Sequence, residues 1–237
     1  MDGITQKFNV YDFFNLVIAG FAFLIALGCC NYVQAIIVIK KMAKFVSDSN
    51  FLLIGFIAIV LEVSLIAGAF IQVIEHAIIK YRIPWEQKTI NNCLNEDGIF
   101  HSKARTTRIR KKACMYLKKS METEELTASE SVVFFVHCVY YLHIKGCDHK
   151  TERLRETQSL SSLLACGFMI AIIGSVLIYG WLDLETSCEA VYLRRIFITY
   201  FACLVLCVAF WIRYIISGTN RIRMVLSIYD ALTDENV

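Results

Sequence analysis

Phe51 to Ile74 reads FLLIGFIAIVLEVSLIAGAFIQVI, 24 residues with a single charge, Glu62. A helix of about 20 mostly apolar residues crosses the roughly 30 Å hydrocarbon core of a bilayer. This stretch is therefore read as a membrane span. Three more runs meet the same test. Phe13 to Ile39 holds 27 residues without a charge, and Leu160 to Leu182 holds 23. Ile196 to Ile212 holds 17 and extends past Arg213 if that side chain snorkels to the interface. Trp181 and Trp211 stand near span ends, where interfacial indoles are favoured.

The composition agrees. Of 237 residues, 57% are hydrophobic and 19% charged, with one proline and a mean hydropathy of +0.55. A soluble domain would carry about 25% charged residues and about 5% proline. A disordered chain, a collagen-like chain and a nucleic-acid tail are excluded. The net charge of +3 is too small for wholesale nucleic-acid binding, which is not favoured. The predicted fold class is all-α, an integral membrane four-helix bundle with a helical cytoplasmic segment between spans 2 and 3. The expected divisions are 1–74 (spans 1 and 2), 75–159 (cytoplasmic), 160–217 (spans 3 and 4) and 218–237 (tail).

The first run is too long for a signal peptide, lacks a basic leader and is read as a retained helix. Val132 to Ile144, VVFFVHCVYYLHI, is too short for an ordinary span. A buried helix or strand, a re-entrant piece and a fifth span all stay open for it. With four spans, nineteen of the 24 Lys and Arg fall on the side of the termini and 75–159. Cytoplasmic loops are enriched in these residues, so both termini are expected inside. Five of the ten cysteines lie within spans (Cys29, Cys30, Cys166, Cys203, Cys207), and only Cys188 falls in an outer loop. Cysteine reads here as a small apolar residue in a reducing setting.

The segment 75–159 is expected to form a small helical domain or extensions of its flanking spans. Pro84 is expected to break the chain after the second span. From His101 to Lys119 there are eight basic residues and no acidic one. Lys103, Arg105, Arg108, Arg110, Lys111 and Lys112 are the candidate patch for lipid headgroups, or for a phosphate-bearing ligand or nucleic acid. The plainer reading is a solvated face paired with Glu122, Glu124, Glu125 and Glu130. His137, Cys138, His143, Cys147 and His149 form a second cluster, but no C-x2-C element supports zinc. They are read as structural, and no metal or cofactor is assigned. KTERLRETQ, 150–158, is expected to lead directly into the third span. The tail RIRMVLSIYDAL carries Ile222, Val225, Leu226, Tyr229 and Leu232 at helical spacing and is expected to dock on the cytoplasmic segment. No phosphate-loop, dinucleotide, zinc-protease or serine-hydrolase motif occurs, so no enzyme is predicted.

Glu62 stands mid-span, where an acidic side chain costs about 2.5–3.5 kcal/mol on insertion scales. It is expected to face the bundle interior or a watery path, bonded in the dry case to Asn31, Ser64, Ser175 or Tyr200. Gln72, Glu75 and His76 are read as extending its polar stripe, and Asn31 adds a polar group to the first span. The candidate intramembrane or pore residues are thus Glu62, Gln72, Glu75 and Asn31. Small residues at Ala22 and Ala26, Ala67 to Ala69, Gly167 and Ala171, and Gly174 mark expected helix contacts.

Two stretches, Asn9 to Asn15 (NVYDFFN) and Asn220 to Leu232, together with the four-span layout, resemble small multi-pass membrane subunits of bacterial anti-phage modules of the Kiwa type. The layout is also similar in topology to connexins and innexins, without their external cysteine pairs. The resemblance implies a homo-oligomeric membrane sensor or effector with a cytoplasmic protein partner, in contact with lipid and able to form or gate an ion path. The alternative is a non-conducting anchor or scaffold that docks a partner.

Overall fold

A computed structural model describes residues 10–46, 50–95, 102–118, 125–181 and 190–234. Among these the protein is all-α. It comprises α1 (Val10–Cys30), α2 (Tyr32–Val46), α3 (Asn50–Asn95), α4 (Lys103–Tyr116), α5 (Ala128–Ile144), α6 (His149–Trp181) and α7 (Ala190–Asp234). Four helices contain runs long and apolar enough to cross a membrane: Tyr11–Cys30, Ile54–Ala77, His149–Leu177 and Ile196–Asp234. At 1.5 Å per residue, α3 and α7 each measure about 70 Å, more than twice a bilayer core. Their apolar halves account for the spans, and their polar halves belong elsewhere. The chain divides accordingly into a span unit, Met1–Ala77 with Ser159–Tyr214, and a second unit, Ile78–Gln158 with Ile215–Val237.

Two expectations about helix ends are corrected. The first apolar run is interrupted at Asn31, between α1 and α2. The Asn31 side chain donates to the Leu27 carbonyl at 2.7 Å. Such local bonding competes with regular helix geometry. The backbone bonds Asn31 N to Leu27 O and Ala35 N to Asn31 O persist, so the break is one residue wide. Pro84 does not end a helix, because α3 runs through it. A proline removes one backbone bond, and a helix carrying long regular stretches on both sides absorbs that loss. The KTERLRETQ segment does lead into the third span as one helix, α6.

In the span unit, glycine sets the closest approach. A Cβ added at Gly20 would overlap the Ser64 carbonyl oxygen, and one at Gly68 would overlap that of Leu16. The backbones of α1 and α3 are therefore in direct contact, the usual use of small residues between spans. Ala26, Cys30, Ala171 and Cys203 form a second cluster joining α1, α6 and α7.

The second unit has a conventional core. Ile90, Cys93 and Leu94 of α3 meet Ile109 and Ala113 of α4, Phe134, Phe135, Cys138 and Leu142 of α5, and Ile222, Val225, Leu226 and Tyr229 of α7. The tail thus packs as its periodicity predicts. The 132–144 run is helical, not a strand, and is shorter than the four candidate spans. It lies in α5, one face of which is in this core. Thr127 caps α5 in a reciprocal box with Glu130. Gly146, at φ +66°, ends it in the left-handed conformation that glycine adopts without steric cost.

Candidate functional site

The span unit does not gather the four intramembrane candidates into one stripe. Ser64, Gly68, Ile71 and Glu75 lie on the buried side of α3. Ile59, Glu62, Val63, Ile66, Phe70 and Val73 lie on its exposed side, with Ile66 and Val73 each 69% exposed. Residues 62 and 75 are thirteen apart, which at about 100° per residue places them on opposite faces. Of the two settings expected for Glu62, the interior of its own chain's bundle is not the one found: Glu62 is exposed amid apolar side chains. Gln72 and His76 are also exposed, whereas Glu75 is buried.

Three of the four groups expected to bond Glu62 bond elsewhere. Asn31, buried, donates to Ser175 Oγ at 3.0 Å. Ser175 Oγ donates to the Ala171 carbonyl at 2.7 Å, and Ser64 Oγ to the Val60 carbonyl at 2.7 Å. The Asn31 side-chain amide oxygen, Oδ1, is buried without a hydrogen-bond partner.

In the second unit, four of the six patch residues bond within the unit. Asp230, fully buried, is the hub. Arg105 Nε donates to it at 3.2 Å, Arg108 at 2.7 and 3.1 Å, and Lys112 Nζ at 2.8 Å. Arg108 and Lys112 also pair with Asp234 at 3.0 and 2.6 Å. Arg110 donates to the carbonyls of Leu94 and Asn95 at 2.9 and 2.5 Å. It thereby satisfies carbonyls that the end of α3 leaves open, where positive charge is favoured. Lys103 and Lys111 are exposed. The basic run thus pairs with the C-terminal tail. Glu122 and Glu124, two of the expected acidic partners, lie outside the described residues, and Glu130 serves the α5 cap.

The His and Cys cluster is dispersed. His137 stacks on Tyr116 with ring centroids 4.0 Å apart, and burial pushes its pKa below the ordinary histidine value. Burial pushes the Cys138 thiol up, which disfavours the thiolate a metal requires. His143 Nδ1 pairs with Asp148 at 2.7 Å, and that hydrogen bond holds the Asp148 carboxyl below the usual carboxylate range. Among the described residues, no group of three or more His, Cys, Asp or Glu side chains is placed to hold a metal ion.

One surface of this unit was missed by sequence reasoning. Val133, Val136, Tyr140 and Ile144 form an exposed apolar row along α5, opposite its core face. On one side of the row is an open cleft of about 340 Å³ bordered by His143, Asp148, Glu152, Arg155 and Arg221. On the other is a cleft of about 370 Å³ bordered by Tyr116, Val132 and His137. The 3-4-4 spacing of the row was the available signal, hidden because α5 is apolar on both faces.

Four apolar helices, close glycine-mediated span packing and a polar helical unit define an all-α, multi-pass membrane protein. No known protein family, characterised protein or solved structure matches the chain.

Proposed function

We propose that this protein is a homo-oligomeric membrane protein whose copies meet along the outer face of α3. Its second unit is cytoplasmic and controls an ion path lined by Glu62. The observation that carries this reading is the exposed position of Glu62 inside an apolar run. A carboxylate against acyl chains costs about 2.5–3.5 kcal/mol. A neighbouring copy or a water column at that face removes the cost. A ring of such carboxylates favours cations. The excess of Lys and Arg in and around the second unit supports its cytoplasmic placement. Antiviral defence is the cellular setting supplied by the layout resemblance.

The test is mass by light scattering in detergent, followed by ion flux in liposomes. An oligomeric mass and a cation-selective flux that weakens in Glu62→Gln support the proposal. A monomeric mass with no flux overturns it. A second reading is favoured by the exposed row on α5, namely a dry membrane anchor that docks a cytoplasmic protein there. Glu62→Gln would then leave function intact, and Tyr140→Glu would abolish it.

A further inference from the structure

Cys30 and Cys203 lie 173 residues apart in the chain, yet their Sγ atoms are 4.0 Å apart. Both are buried, at 0% and 5% exposure. Cys30 ends α1, and Cys203 lies on α7. Their packing neighbours Ala26 and Ala171 are small, which lets these helices approach closely. The end of α1 is further pinned to α6 by the 3.0 Å bond from Asn31 to Ser175. The other nearby thiols are placed differently. Cys207 Sγ donates to the Ala165 carbonyl at 3.3 Å, and Cys29 is exposed.

From this geometry we infer that Cys30 and Cys203 form a reversible disulfide that clasps the first span to the fourth. A disulfide needs its sulfurs about 2.05 Å apart, so the pair must close by about 2 Å. In the reaction two S–H bonds break and one S–S bond forms. The two electrons and two protons pass to a membrane-soluble two-electron oxidant of the quinone class, which leaves as the hydroquinone. Thiol reductants reverse it by exchange through a mixed disulfide. The clasp joins residues 173 apart in the chain, so the oxidised protein resists separation of α1 from α7.

The test uses the full chain in detergent. The protein is oxidised with the permeable reagent diamide, whose N=N bond accepts the same two electrons and two protons. It is then denatured, alkylated and mapped by mass spectrometry. The expected result is a peptide joining Cys30 to Cys203, loss of alkylation at both, faster migration without reductant, and a higher unfolding temperature. Cys203→Ser should remove all of these effects, and reductant should restore alkylation of the native protein. The native chain supplies the primary readout, so a variant that fails to fold does not blunt the test. Full alkylation of Cys30 and Cys203 after oxidation that has consumed exposed Cys29 overturns the inference. A bridge from Cys29 to another copy or to Cys203, in place of the Cys30 pair, overturns it equally.

Discussion

Asp230 and Glu62 are carboxylates on long helices, and their surroundings are opposite. Asp230 is sealed in the second unit with three cations within hydrogen-bonding distance. Glu62 stands exposed on the apolar face of a span. The same division runs through both units. The second unit combines a large apolar core with a network of charged bonds. The span unit relies on glycine contact, small residues and a few local hydroxyl bonds. Lipid supplies no hydrophobic drive between helices, so close packing carries the association of spans. In water, burial drives the core, and charges serve to fix which surfaces meet. A carboxylate enclosed by partners therefore reads as structural. One left without enclosure reads as a group awaiting something from outside the chain.

The first way to break this contrast is at the glycine crossing. Gly20→Val places branched carbons where the Ser64 carbonyl oxygen already lies. Overpacking of this kind costs about 3 kcal/mol or more. The expected result is early loss of helix–helix contacts in the span unit by cysteine accessibility, with the second unit's core still protected in hydrogen exchange.

A smaller effect is expected at the charged hub. Asp230→Asn keeps the shape but removes the charge facing Arg105, Arg108 and Lys112. A fully buried pair broken in this way loses about 3–5 kcal/mol. Arg108 is half exposed and can turn to water, so a loss of about 2 kcal/mol is expected. Urea unfolding of the second unit, followed by fluorescence of Trp85, measures it. An unchanged midpoint would mean that the apolar core alone docks the tail.

The smallest effect is the pH response, which sharpens the contrast between the units. His137 and Asp148 both have folded-state pKa values below their ordinary ones, the first from burial and the second from the His143 bond. Each therefore contributes stability above its unfolded pKa and loses it as pH falls. The second unit is expected to hold steady at neutral pH and to weaken below about pH 6.5, then further below about pH 4. His137→Phe retains stacking on Tyr116 and should flatten the first step alone. A decline of equal size in that variant would remove His137 from the account.

The four spans, the all-α class and the apolar side of the tail were legible in the amino-acid order, because they depend on local length and periodicity. Twenty apolar residues need a membrane or a core whatever else is present, and Ile222, Val225, Leu226 and Tyr229 recur at helical spacing. The partners of polar groups were not legible. Asp230 lies more than a hundred residues from the cations that surround it, and Cys30 lies 173 from Cys203. Which side of α3 faces inward depended on where Gly20 of another helix makes contact, a choice that no pattern within Phe51 to Ile74 encodes. Local sequence sets the period of a helix, whereas its rotation about its own axis is set by what packs against it. That rotation placed Glu75 inside and Glu62 outside.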